Sequence, residues 1–551
     1  MKKIIIKYGA KEIEAEPFIK IEELFKDEEN LSYMDNPTVG VLSDGVLRGL
    51  DERIETSCTI ERVPLFSSLG KRIYRKTLCF LLFYASSIIY PSRKMKVEHS
   101  LGDGFYFHYL DSGSFSIKLL KEKMMEIVDN KERIDVVRLS HLDAVRILKE
   151  NKYDDTVDLI STMNDESYRF IKAGSCYQLY TEKVLPSFSF IRLFDIREYS
   201  GGMLLRYPQM RSPERIREFT DNPLLFSIFS ESKRNRKLIN FRSIADLNTA
   251  ILDSSISDKI LLLESQMRRK IAAIADDIGR RRTVRIVFIS GPSSSGKTTF
   301  SLRLSNELRL LGYNPIKISL DDYYKSREEV PRTADGDYDF ECLEALRLDL
   351  FQSQLCDLIA GKPVNLPSFS FTSQKTTFSE TPFKMEENTV LVIEGIHGLN
   401  PRLYPDLDPS CFYKVYISAL TGLNLDHANR ISTTDNRILR RMVRDYRTRG
   451  TSAERTLQMW PVVEEGEKNH IFPFQNNADM MINSALGYEL AVLSPYAVPL
   501  LRSVSEDKKE AYAVSRRLLE FLSYIYPLDS RLVPQDSIIR EFIGGSIFPV
   551  T

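Results

Sequence analysis

At 551 residues the chain is several times longer than one ordinary hydrophobic core requires, so about three or four folding units are expected. Lysine plus arginine and aspartate plus glutamate both number 76, which leaves no net positive field to gather nucleic acid and argues against a dedicated DNA-binding role. Cys58, Cys79, Cys176, Cys342, Cys356 and Cys411 are scattered without a C-x-x-C pair, the usage of reduced thiols in a cytoplasmic protein rather than of a disulfide framework or a zinc knuckle.

After Lys3 only three apolar side chains precede Lys7, too few for a signal-peptide core. Residues 1–60 alternate short β-like runs (Lys2–Ile6, Thr38–Leu42) with acidic, turn-rich segments, the pattern of a small α+β module. Residues 61–215 read as a second α+β unit, with an apolar helix near 76–90, a strand at Gly104–Tyr109 and an amphipathic helix at Asp143–Glu150. The most apolar stretch, Leu78–Tyr90, is shorter than the roughly 20 residues of a membrane span and reads as a buried helix, so no membrane partner is expected. Residues 216–282 form a helical connector. Residues 283–493 alternate apolar strands with helices, which predicts a parallel sheet covered on both faces, and residues 494–551 form a helical extension. The fold class is therefore multidomain α/β, with the α+β units ahead of the parallel sheet.

The strand Val284–Ile289 runs directly into Gly291-Pro292-Ser293-Ser294-Ser295-Gly296-Lys297-Thr298-Thr299, a full match to the phosphate-binding G-x-x-x-x-G-K-[ST] pattern. Behind it Phe300, Leu304, Leu308 and Leu311 share one helix face, and Gly312 can close that helix in a left-handed cap. The glycines let backbone N–H groups turn towards phosphate oxygens at a helix N-terminus, where the dipole also favours anions. ATP is thus the expected nucleotide, with Lys297 on its β- and γ-phosphates and Thr298 on Mg²⁺.

The next strand, Ile316–Leu320, delivers Asp321 and Asp322 to the same edge of the sheet, where α/β folds bind ligands. Phosphoryl transfer to a hydroxyl needs a positioned proton acceptor; Asp321 is the expected base, Asp322 the second choice, and a helix N-cap the structural alternative. Thr389–Gly395 is a continuous apolar strand that ends in Glu394, the candidate second metal ligand. His397 is read as a structural residue. Arg437, Arg440, Arg441 and Arg444 fall at i, i+3, i+4 and i+7 on one helix face, with Arg449 beyond. Two readings apply: a solvated face paired with Asp435 and Asp445, or a mobile lid that closes arginines over the triphosphate, and the phosphate loop favours the lid.

Together GPSSSGKTT (291–299), SLDDYYK (319–325), VIEGI (392–396) and RILRRMVRDYRTRG (437–450) resemble the uridine kinase and phosphoribulokinase family over about 210 residues. The resemblance implies a nucleoside 5′-hydroxyl as acceptor, Asp321 as base and an arginine lid, with Arg437 and Arg449 near substrate and phosphate. Carried over residue by residue, Asp322, Tyr324, Glu341, Phe369 and Gln374 would line the acceptor pocket. Two departures stand out: Asp339-Phe340-Glu341-Cys342-Leu343 replaces Asn-Phe-Asp-His-Pro, and Phe369-Ser370-Phe371 with Gln374 replaces Tyr-Asp-Phe and its following His.

The N-terminal half resembles the editing side of threonyl-tRNA synthetase, a TGS-like module followed by a second domain, most visibly in RKTLCFLL (75–82) and VEHSLGDGFY (97–106). That family's paired histidines fall on Lys76 and Phe80, and its Cys-x-x-x-His on Cys176 and Tyr180, so the ligands of an editing site are missing. This combination resembles a multidomain bacterial nucleoside kinase type. The alternatives left open are a kinase for another small alcohol, an ATP-driven switch whose N-terminal half binds RNA, and an N-terminal half that drives homo-oligomerisation or regulation.

Overall fold

The computed structural model describes residues 3–28, 33–102, 104–209, 212–332, 336, 338–370, 373, 375–405 and 407–549. Strands β1 (Ile4–Tyr8), β2 (Lys11–Ala15), β3 (Thr38–Ser43), β4 (Val46–Gly49) and β5 (Cys58–Pro64) make a sheet of order β2-β1-β5-β3-β4, in which only β1 and β5 pair in parallel. Its last strand runs through residue 60 to Pro64. Ser67 then caps helix α1 (Ser68–Ile89) by accepting the Gly70 N–H, and the helix is buried along most of its length because both its faces are covered.

Around α1 lie two antiparallel sheets. One comprises β6 (Met95–Leu101), β7 (Gly104–Tyr109), β11 (Asp195–Tyr199) and β12 (Gly202–Arg206) in the order β11-β12-β7-β6; the other comprises β8 (Asp135–Ser140), β9 (Ser167–Ala173) and β10 (Cys176–Leu179). Three helices follow, α2 (Pro223–Leu238), α3 (Ile244–Leu252) and α4 (Ile256–Arg280).

The third large sheet is entirely parallel. Its strands are β13 (Ile286–Ser290), β14 (Asn314–Ser319), β17 (Thr389–Glu394), β18 (Phe412–Ser418) and β19 (Met480–Asn483), in the order β14-β17-β13-β18-β19. A short hairpin, β15 (Pro367–Ser370) with β16 (Lys375–Phe378), stands beside it. Every residue of β13 and β17 is buried, as strands covered on both faces must be. Alternation divides them between two cores: Val287, Ile289, Val390 and Val392 face one, Ile286, Phe288, Leu391 and Ile393 the other.

Helices α5 (Lys297–Leu310), α6 (Thr433–Arg449), α7 (Ala453–His470), α8 (Glu489–Arg502) and α9 (Lys509–Leu522) belong to the same half, and the short α10 (Arg540–Ile543) comes near the end of the chain. The helix behind the phosphate loop ends at Leu310, with Gly312 left-handed at φ +88°. Phe300, Leu304 and Leu308 are buried as expected, whereas Leu311, placed on the same face by spacing, is 45% exposed because the helix has already ended.

The two halves share their cores. Leu148, Tyr168, Phe170 and Leu179 of the N-terminal half pack in the same cluster as Val287 and Phe300, and Ala428 and Ala513 sit in the cluster around α1. Among the described residues no helix is long and apolar enough to cross a membrane.

Candidate active site

The phosphate loop leaves β13 at Gly291, where a Cβ would lie 1.9 Å from the Ile417 carbonyl oxygen, so no side chain fits. Gly296, at φ +86°, then turns the chain into the first turn of α5. Lys297 Nζ donates to the carbonyls of Gly291 (3.0 Å) and Pro292 (3.3 Å), folded back over its own loop. Burial lowers the pKa of its ammonium, against the opposing pull of Glu394 and Asp321.

Thr298 Oγ1 donates to Glu394 Oε1 at 3.0 Å, and Lys317 Nζ lies 3.3 Å from the same oxygen. A hydroxyl and a carboxylate at a strand end beside the loop are hard oxygen donors of the kind Mg²⁺ takes together with phosphate oxygens and waters, so this pair fits the metal.

Asp321 begins a short turn after β14, and its N–H is capped by Ser319 Oγ at 3.2 Å. The residue is exposed at the end of the strand, yet desolvation by the protein around its carboxyl and the nearby Glu394 raise its pKa to about 6, against the pull of Lys297 and Arg449. Asp322 points elsewhere: its Oδ1 accepts the Phe369 N–H at 3.1 Å and so ties the β15–β16 hairpin to the sheet. Tyr324 is buried against Phe340 and Phe369, with its hydroxyl donating to the Phe340 carbonyl at 3.0 Å. Burial and the nearby Glu467 push Glu341 up to about 7, with Arg441 and Lys297 opposing. Gln374 lies outside the described residues.

The arginine helix differs from expectation. Rather than standing open as a lid, α6 is packed, and two of its arginines are buried and paired inside the protein. Arg437, 3% exposed, pairs with Glu467 (Nη1 to Oε2, 2.8 Å) and holds the Ser293 carbonyl at 2.9 Å. Arg440, 0% exposed, pairs with Glu489 at 2.5 Å and bonds the carbonyls of Ser484 and Ser294. The expectation that Arg437 lies near the substrate as a catalytic group and that Arg440 closes over the triphosphate of ATP with the rest of the lid is therefore corrected: both brace the phosphate loop through its carbonyls, because a buried guanidinium requires carboxylate partners and Glu467 and Glu489 supply them. Arg441 reaches Ser293 Oγ at 3.0 Å, and Arg441, Arg444 and Arg449 share Asp445. These three remain beside the loop's open side.

Sequence reasoning missed Glu467, whose Oε1 accepts the Ser293 N–H at 3.1 Å, and Ser484, whose hydroxyl donates to the Ser295 carbonyl at 2.5 Å. No local pattern announces either of them. His397, read as a structural residue, is buried beside His470 and held neutral by burial, its pKa lowered to about 4.

The arrangement is that of a P-loop phosphotransferase: a glycine-rich loop at a helix N-terminus, a hydroxyl and a carboxylate beside it, and a second carboxylate at the end of the neighbouring strand. Residues 286–489 match the model of the phosphoribulokinase / uridine kinase family. The C-terminal half thus carries a domain of that family, and the protein is an ATP-dependent phosphotransferase. A uridine kinase of Staphylococcus epidermidis is 28% identical over 208 residues, 38% of this chain and 91% of that protein. The uridine kinase of Saccharomyces cerevisiae is 29% identical over 202 residues, 36% of each chain. Elsewhere, in the N-terminal region, a threonine–tRNA ligase of Clostridium kluyveri is 28% identical over 192 residues, 34% of this chain but only 30% of the ligase. A solved structure described as a possible uridine kinase from Bacillus stearothermophilus has 17% identity and a TM-score of 0.26, covering 39% of this chain and all of that one.

The segment that resembles the synthetase is bonded to residues of the kinase half. Lys76 Nζ donates to Asn429 Oδ1 at 2.6 Å, and Thr181 Oγ1 bonds the same oxygen at 2.7 Å. Thr156 reaches Asp426 at 3.2 Å, and the Val97 N–H donates to the His427 carbonyl at 2.9 Å. Cys176 and Tyr180 are buried nearby.

Proposed function

We propose that the protein is an ATP- and Mg²⁺-dependent kinase that phosphorylates the 5′-hydroxyl of a nucleoside, with uridine and cytidine as the first candidates. The observation that supports this best is Asp321: a carboxylate at the strand end beside the Lys297 loop and near Tyr324 and Glu341, with a pKa raised to about 6. At pH 7 such a group is mostly ionised yet more basic than an ordinary aspartate, as a proton acceptor should be. In the reaction the acceptor oxygen bonds the γ-phosphorus, the bond to the β–γ bridging oxygen breaks, the hydroxyl proton passes to Asp321, and ADP departs. Mg²⁺ supplies neutralisation of phosphate charge, and Thr298 and Glu394 are the residues to hold it. Lys297 unfolds from its loop carbonyls to meet the β- and γ-phosphates, while Arg441, Arg444 and Arg449 face the developing charge.

Glu341, near its pKa at neutral pH, suits hydrogen bonds to paired ribose hydroxyls. Its side chain is one methylene longer than the aspartate of the resembled pattern, so the relatives' uridine is a starting point for this pocket. The use of ATP supports a cytoplasmic location.

The test is ADP release from ATP and Mg²⁺ with a panel of nucleosides, sugars and pantothenate, beside a Lys297→Ala control. Lys297-dependent turnover with uridine or cytidine is the expected result. Turnover with a different alcohol replaces the acceptor, and silence across the panel refutes the kinase reading.

A further inference from the structure

The last helix of the chain lies on the nucleotide site. Glu541, in α10 and 5% exposed, accepts the Thr299 backbone N–H at 3.1 Å and the Thr299 hydroxyl at 2.9 Å. That N–H belongs to the first turn of α5, whose donors have no partner within the helix and are the ones a phosphate loop offers to a nucleotide. Arg444 Nη1 stands 3.8 Å from the other oxygen of the Glu541 carboxylate. Ile538 closes on Gly296 so tightly that a Cβ there would lie 2.5 Å from its Cγ2.

The segment is fastened to the same elements that build the loop. Arg447 donates to the carbonyls of Glu541 (3.0 Å) and Phe542 (3.2 Å), the Arg440 guanidinium lies 4.9 Å from the centre of the Phe542 ring, and Tyr488 and Ser537 share a hydroxyl contact at 3.3 Å. All of α10 lies outside residues 286–489, the range matched by the family model.

We propose that residues 537–543 form a plug that competes with the nucleotide: the Glu541 carboxylate stands in for a phosphate oxygen at Thr299, and ATP binds when the plug withdraws. A carboxylate and a phosphate cannot share one N–H, and two anions at that separation repel in a site shielded from water. Donor affinity is therefore set by the chain's own C-terminal segment. The inference rests on the kinase reading, because it takes the loop to be a site for ATP.

Hydrogen exchange of the full-length protein with and without saturating ATP and Mg²⁺ tests it. The expected result is slower exchange in 291–299 together with faster exchange in 537–544. Protection of 291–299 with unchanged or slower exchange in 537–544 overturns the plug and leaves the kinase reading intact. No protection of 291–299 in either the wild type or Glu541→Ala overturns both. Calorimetric ATP binding gives the magnitude: removing a charge-assisted competitor should tighten the Kd about tenfold in Glu541→Ala. Glu541→Gln, which keeps the shape and loses the charge, should fall between the two, and equal affinities in folded Glu541→Gln and wild type count against the proposal.

Discussion

Asp435→Asn should cost about 3 kcal/mol of stability at pH 7. Asp435, at the start of α6 and 4% exposed, accepts from Arg517 Nη1 (2.7 Å) and Nη2 (2.8 Å) of α9 and from Arg72 Nη2 (3.2 Å) of α1. Burial alone would raise this carboxyl, yet Arg517 and Arg72 hold it well below the usual carboxylate range. Breaking one side of a buried ion pair generally costs about 3–5 kcal/mol. The lower end applies here because Arg72 keeps Glu182 and because the Arg517 and Arg72 side chains, 16% and 32% exposed, retain some water. The assay is urea unfolding, followed by far-ultraviolet circular dichroism and by fluorescence of Trp460, the only tryptophan of the chain, on α7. Because the folded pKa is depressed, the contribution is present above the unfolded value of about 3.9 and is lost as pH falls below it, so the gap between wild type and variant should close in acid. A loss under about 1 kcal/mol, or a gap that persists in acid, would refute the reasoning.

Asp321→Asn should retain ATP binding while kcat falls by about 10²- to 10⁴-fold; normal turnover would remove Asp321 as the base. In the wild type, the active form of Asp321 is the deprotonated one, so kcat/KM should fall about tenfold per pH unit below pH about 6 and be flat just above it; a limb centred near 4 would contradict the desolvation described. Glu394→Gln and Thr298→Ala should each raise the Mg²⁺ concentration for half-maximal rate about tenfold, read from a magnesium titration at fixed ATP. Arg440→Ala should act as a structural lesion, lowering stability by about 3 kcal/mol, since it would leave Glu489 buried and unpaired; a stable variant with weakened ATP binding alone would restore Arg440 to the nucleotide.

What sequence could show was the chemistry written in contiguous residues. The loop 291–299, Asp321 and the glutamate ending β17 each sit at the C-terminal end of a strand of the parallel sheet, so motif and position coincide. Helix spacing correctly put Arg437, Arg440, Arg441 and Arg444 on neighbouring positions of α6, but periodicity says only which residues share a face, and nothing of what meets it. The partners that decide the matter are remote: Glu467 is 30 residues from Arg437, Glu489 is 49 from Arg440, and Glu541 is 242 from Thr299. Leu311 was misplaced for a local reason, a helix that ends one residue earlier than its apolar pattern.

The Lys76–Asn429 bond constrains how this chain could be rebuilt. The position that the synthetase resemblance gives to a metal-binding histidine now serves as a socket for the segment leading into the arginine helix. Restoring hydrolytic ligands there would unseat that segment, and excising residues 283–493 as a free-standing kinase would strip Asp426, His427 and Asn429 of their mates. Such a joint makes the two halves one mechanical unit: a change on either side of the Lys76–Asn429 bond is felt on the other.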